Sequence, residues 1–279
     1  AIFFARDLDI NRLGTLTISR GMTIDGSGYD VSLSGGAPLL TVSGHTSPVL
    51  LTSLSIIDSG SESDNIISIS GPSSVTIMDS TIANHETFSG NIIFNETDLK
   101  LINTTFTNNS TGGNLISNGS GGTVELVNST ISAGGGLGLG SGNIENDSGS
   151  VFTITHSTIA GGGVSNSGQM TIGSSIVAGG VSCSGTITDG GYNLVDVRGG
   201  CPTDSGTTQT ISSSEVFNTV LDSLADNCGD TRTHALLPGS PALDAIPNGT
   251  NGCGTTITTD QRGITRPQGS ACDIGAFEL

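Results

Sequence analysis

Any chemistry in this chain has to come from carboxylates, because little else is on offer. There are 25 acidic residues against 8 basic ones, for a net charge of −17. Lys100 is the only lysine. Cleavage of acidic polysaccharides needs clustered carboxylates, or an Arg/Lys base beside a cation, on one strand face. The nearest approaches to this are Arg20 with Asp25 and Lys100 with Asp98. Asp58, Asp64 and Asp79 approach one another only if successive segments stack. None of these is a run of acidic residues with a basic partner, so catalysis stands as the alternative reading and a non-catalytic role as the first. No cofactor is expected. The acidic loops lack both the Gly-Gly-x-Gly-x-Asp nonapeptide and the EF-hand loop that hold calcium.

The remaining reactive groups are thiols and candidate glycosylation sites. All five cysteines lie after residue 180. Cys183 and Cys201 bracket one Gly-rich loop, and Cys253 and Cys272 bracket another. Neither pair has the Cys-x-x-Cys spacing of a zinc site, so two local disulfides in an exported protein are expected. Cys228 is left over as an unpaired thiol, either buried or pairing between chains. Asn-x-Ser/Thr sequons are frequent, and Asn95, Asn109, Asn118 and Asn146 are the candidates for glycosylation.

These residues hang on a repeat. Val124-Glu-Leu-Val-Asn-Ser-Thr-Ile131 recurs as Val75–Ile82, Leu99–Phe106, Phe152–Ile159 and, more loosely, Val49–Ile56 and Met170–Val177. Copies lie roughly 18 to 28 residues apart, the range of solenoid repeats. Short runs of alternating polarity are bounded by Gly, Asn, Asp and Ser, and no stretch before residue 214 keeps a helical period. The reading is an all-β, right-handed parallel β-helix, each coil bonded to its neighbours. Equivalent positions stack about 4.8 Å apart. The row Ser53, Asp79, Asn103, Asn128, His156, Ser174 is therefore expected to form a structural ladder passing hydrogen bonds from coil to coil. His156 is read there as a tolerated variant, not a metal ligand.

Composition narrows the partners. A surface this acidic repels phosphate backbones and anionic lipid, so nucleic acid is excluded as a partner. No apolar run reaches the length of a membrane-spanning helix, so direct membrane insertion is not expected. Aromatic residues are 4% and Trp is absent, which points to a thin aliphatic core. The chain opens on Ala1-Ile-Phe-Phe-Ala5 without a basic start or cleavage site and reads as processed or trimmed. Ile2, Phe3 and Phe4 either cover the first coil or touch a neighbouring subunit in a head-to-tail filament.

From residue 212 the texture changes to loops. Residues 1–211 are read as coils and 212–279 as a capping module for the last coil, with Asp260, Arg262, Asp273 and Glu278 holding it together. Ser223-Leu-Ala-Asp-Asn227, Thr233-His-Ala-Leu-Leu-Pro-Gly-Ser-Pro-Ala-Leu-Asp244, Thr259-Asp-Gln-Arg-Gly263, Arg266-Pro267 and Cys272-Asp-Ile-Gly-Ala-Phe-Glu278 carry a resemblance. With Gly190-Gly-Tyr-Asn-Leu194 and the Asn-Ser-Thr-Ile rungs, they resemble bacterial exported right-handed parallel β-helix repeat proteins. This is the pectate-lyase-like and polymorphic outer-membrane-protein-like set with a choice-of-anchor type C-terminal module. Cys228 departs from the glycine usual there. The resemblance implies the fold and export, hence an extracellular or cell-surface structural or adhesive component. A surface glycan or receptor, or further copies of the chain, would be its partners. A carbohydrate-active enzyme or glycan-binding module on the same scaffold is the alternative.

Overall fold

The computed structural model describes residues 1–12, 14–132, 143–197 and 199–279. Its body is a parallel β-solenoid. Each coil contributes a strand to sheet A, turns a corner into sheet B, and crosses to sheet C before starting the next coil. Val75, Ile77, Leu99, Leu101, Val124 and Leu126 stack in register along sheet A. They are buried at 0–1% exposure, while the residues between them face outward. The period of two sets this: alternate residues fill the interior and their neighbours meet solvent. Ile56, Ile82, Phe106, Ile131 and Ile159 do the same in sheet B.

The corner between sheets A and B explains the repeat and corrects its expected role. Ser53, Asp79, Asn103, Asn128, His156 and Ser174 have φ of 54°, 49°, 51°, 46°, 48° and 54°. The row is thus a column of left-handed corners, and Asn, Asp and His recur because they tolerate that region better than most residues. Only Asn103 and Asp79 pass a direct side-chain bond, Nδ2 to Oδ1 at 2.8 Å. The continuous ladder lies one residue further on. Ser129, Ser157 and Ser175 accept from the backbone N–H of Thr104, Ser129 and Ser157 at 3.1–3.2 Å, and Asn193 accepts from Ser175 at 2.9 Å. Turning the corner takes those amides out of the strand ladder, and the next coil's hydroxyl supplies their acceptor.

The C-terminal end, expected from residue 212 to cap the last coil, divides into two parts. The last coil is closed by residues 199–208, where Cys201 joins the core and is bonded to Cys183. Asp189 gathers this loop, accepting from Ser205 N, Thr208 Oγ1, Gly191 N and Asn193 Nδ2 at 2.7–3.0 Å. Burial opposes its charge, but bonds from Thr208, Ser205 and Gly191 outweigh that and hold the carboxyl below its ordinary range. The segment after 211 leaves the coil path and forms a separate two-stranded sheet. It makes one π-helical turn at Val216–Val220 and pairs Leu221–Ala225 antiparallel with Thr233–Leu236. It then returns along the outside of sheet B. Val216, Val220, Leu221, Leu236, Ile246, Ile274 and Phe277 bury a second core there against Ala160, Ile176, Ala178 and Leu194. A flank already carrying apolar Ile176 and Leu194 needs covering, and covering it is what the module does.

Candidate functional site

The candidate glycosylation residues are not on the surface. Strand register continues the inward column Ile18, Val42, Ile69 into Asn95, Asn118, Asn146 and Asn166. Asn95, Asn118 and Asn146 have no exposed area. Each Nδ2, the atom a glycan would occupy, donates to the next rung's Oδ1: Asn95 to Asn118 at 2.8 Å, Asn118 to Asn146 at 2.7 Å, Asn146 to Asn166 at 2.7 Å. Asn109 is 8% exposed, and its Nδ2 donates to Ile82 O at 2.9 Å while its Oδ1 takes the His85 amide. The four sequons are therefore structural rungs. The amide ladder expected at the corner exists, but inside sheet C.

His85 sits in a further short column. Its Nδ1 accepts from Ser59 N and its Nε2 donates to Ile56 O at 3.0 Å, so both ring nitrogens are used by the neutral form. Burial is the main cause that pulls its pKa down to about 4. No sequence pattern marks this histidine, which lies in the break between strands Thr81–Ala83 and Glu86–Thr87.

The C-terminal module grips the flank through two columns. One is the left-handed corner row. Asn103 O accepts from Thr231 Oγ1 at 3.0 Å, and Asn128 Nδ2 donates to Thr259 O at 2.8 Å. His156 Nε2 donates to Asn251 O at 3.1 Å, and Ser174 Oγ accepts from Asn251 Nδ2 at 2.9 Å. Burial, reinforced by Arg266, drives His156 down to about 3, so the ring is neutral. The other column is the threonine of Ser-Thr-Ile. Thr105 Oγ1 donates to Arg232 O at 2.6 Å, Thr130 Oγ1 donates to Gln261 Oε1 at 2.6 Å, and Thr158 Oγ1 accepts from Ala276 N at 3.0 Å. Gln261 Nε2 also donates to Thr105 Oγ1 and Thr231 Oγ1, both at 2.8 Å.

Within the module, Cys253–Cys272 is bonded. Asp260 pairs with Arg262 at 2.8 Å, and Arg262 lies 3.5 Å over the Phe277 ring. Arg266, which sequence reasoning had only as part of a motif, is the buried centre. Its Nη1 donates to Glu278 Oε2 and Asp273 O at 2.9 Å, and its Nη2 to Gly275 O at 2.6 Å.

Where the module stops, an open groove of 460 Å³ begins. Its walls come from the first coils and from Gly229 and Asp230 of the module. Asp7, Tyr29, Asp30, Ser53, Ser55, Asp79 and Thr81 line it. Burial pushes the Asp79 carboxyl up, opposed by the Asn103 bond and reinforced by Asp230 across the groove. Of the carboxylates proposed from sequence, Asp79 alone lines the groove. Asp58 forms another left-handed corner, and Asp64 accepts from Ser61 Oγ in the turn after that strand. Lys100 pairs with Glu125 on the surface, not with Asp98. Among the described residues no three His, Cys, Asp or Glu side chains are placed to hold a metal ion.

The other sequence candidates fall outside this groove. Cys228 is exposed and free, on the loop that leads into Gly229 and Asp230. Ile2 and Phe3 are exposed at 43% and 69% on the outermost strand of sheet A, whereas Phe4 packs on the core. Among the described residues no helix is long and apolar enough to cross a membrane. Comparison with protein-family models, with curated proteins and with solved structures gave no match.

Proposed function

We propose that the chain is an extracellular or cell-surface rod that presents binding surfaces on its flank, a structural or adhesive component of the bacterial exported β-helix kind it resembles. The observation that carries this reading is the set of side-chain columns tying coil to coil. The Asn95–Asn166 ladder and the hydroxyl ladder from Ser129 to Asn193 add transverse bonds to the parallel strand pairing. Buried, satisfied networks of this kind rigidify and fix register. Two disulfides support an oxidising location. The test is differential alkylation of native material with cell fractionation. The reading expects protein at the surface or in the medium, with Cys228 alone labelled before reduction. Cytoplasmic protein with all five thiols labelled contradicts it.

Head-to-tail association belongs to the same proposal, supported by exposed Ile2 and Phe3 on an edge strand. Sedimentation of the parent and of Phe3→Ser separates the cases: a filament subunit loses its large species with the substitution. The groove favours a second reading, a glycan-binding or carbohydrate-active site, because an exposed Tyr29 lines it together with the Asp79 and Asp230 carboxylates. A glycan array with a polysaccharide-degradation screen tests it, and loss of any signal in Tyr29→Ala assigns that signal to the groove.

A further inference from the structure

The module holds the solenoid by two columns, and both columns run on past the module into the groove. Thr81 pairs in register with Thr105 and is the preceding rung of the threonine column. The hydroxyls of Thr105, Thr130 and Thr158 all bond to the module. Thr81 has its backbone in the ladder, while its side chain lines the groove and bonds to nothing among the described residues. Asp79 is likewise the preceding rung of the corner column. Asn103, Asn128, His156 and Ser174 meet the module through Thr231, Thr259 and Asn251. Asp79 meets only Asn103 and faces the open space. Ser53 and Ser55 extend both columns one coil further along the groove wall. The groove is thus the unengaged continuation of an interface whose grammar is already visible. Extended chain satisfies it with backbone carbonyls, a backbone N–H and side-chain amides.

Charge selects what kind of chain. Asp7, Asp30, Asp79 and Asp230 face the groove, and among the described residues no Lys or Arg pairs with any of them. The module's own contacts to the corner column are neutral, so the carboxylate at Asp79 and the one opposite it at Asp230 mark a change in what is wanted. Opposed carboxylates repel, and a cation placed between them relieves both. Tyr29 supplies a ring face on which a guanidinium or the stem of an ammonium packs. We propose that this groove docks an extended peptide segment of a partner protein carrying an arginine or lysine. Its backbone would take the Thr81 and Ser55 rungs and its cation would sit between Asp79 and Asp230. The proposal stands apart from the rod reading, since a groove that binds nothing leaves the coils and their ladders untouched.

The probe is acetyl-Gly-Arg-Gly-amide, titrated into the isotope-labelled full chain and followed by amide chemical shifts, with the citrulline peptide as its neutral isostere. Shifts are expected at Tyr29, Ser55, Thr81 and Asp230, fading with added salt. Citrulline is expected to weaken binding by about tenfold, as is Asp230→Asn, whose exposed side chain leaves the fold intact by thermal melting. Thr81→Val is expected to cost roughly fivefold through one lost hydrogen bond. Equal binding of the citrulline peptide overturns the proposal, as does the absence of groove shifts at millimolar peptide. Shifts produced by neutral monosaccharides and not by the arginine peptide overturn it in favour of a glycan.

Discussion

Replacing Asn118 by alanine removes the central rung of the sheet C ladder. Its Nδ2 donates to Asn146 Oδ1 at 2.7 Å, Val151 O at 3.0 Å and Gly122 O at 3.2 Å, and its Oδ1 accepts from Asn95 Nδ2 at 2.8 Å. The neighbours are not all stranded. Asn95 Nδ2 keeps Thr97 O, Asn146 Oδ1 keeps the Ser150 hydroxyl, and Gly122 O keeps the Val151 amide. At about 1 kcal/mol net for each neutral bond, with part of the loss recovered by those remaining partners, the cost is about 2–4 kcal/mol. Asn118→Asp is worse near neutrality, because a carboxylate then faces three acceptor oxygens. The protonated acid is the form that fits, so its folded pKa is raised above the ordinary ~3.9. Acidification through that raised value restores stability to the variant, and its deficit relative to Asn118→Leu narrows as pH falls. Urea unfolding of parent, Ala, Leu and Asp variants across pH gives these differences from the midpoints. A cost for Asn118→Ala within about 0.5 kcal/mol of zero, typical of a surface site, refutes the ladder.

Four other outcomes follow from the same geometry. His85 is neutral in the fold with a pKa of about 4 against 6.5 unfolded, so the unfolded chain takes up the proton first. That contribution is complete above pH ~6.5 and falls as pH drops to about 4, losing roughly 3 kcal/mol, which a pH series of unfolding midpoints and the His85 ring NMR titration both report. Arg266→Met leaves Glu278 buried without its partner and is expected to cost about 3–5 kcal/mol, with much of it returned by Arg266→Met/Glu278→Leu, as melting of single and double variants shows. Removing the Cys253–Cys272 bridge, which closes a separation of 19 residues, is expected to cost about 3 kcal/mol in the same assay. Intact-mass spectrometry of native protein is expected to show no hexose on Asn95, Asn109, Asn118 or Asn146.

The solenoid was legible because its signal is repetition, and repetition survives ignorance of any one contact. The Val/Ile/Leu runs and the Asn-Ser-Thr-Ile ending mark coil after coil. What the ending meant was less accessible. Asn128 recurs for its left-handed φ, a backbone property that leaves the same trace as a stacking amide. The true amide column was hidden in plain spacing: Ile93-Phe-Asn95, Ile116-Ser-Asn118, Ile144-Glu-Asn146 and Val164-Ser-Asn166 each put Asn two residues after a core aliphatic, hence on the same inward face. Reading them as sequons weighed the glycosylation motif above the period of two. The groove could not be read at all, because Asp79 and Asp230 are brought together only by a module that returns along the flank. The threonine column was the one clue to that return, since outward threonines repeating at Thr81, Thr105, Thr130 and Thr158 invite a partner.

The groove, and the two columns that lead into it, depend on the module lying along the flank and ending there. Hydrogen exchange of the full chain tests that placement most directly. Amides of Gln261, Arg266, Ile274 and Ala276 bond to backbone groups of the module or directly to the coil residue Thr158. They are predicted to exchange as slowly as those of Thr105, Thr130 and Ile176 in the gripped coils, because opening one requires opening the other. Rapid exchange of the module amides while Thr105, Thr130 and Ile176 stay protected would contradict the account.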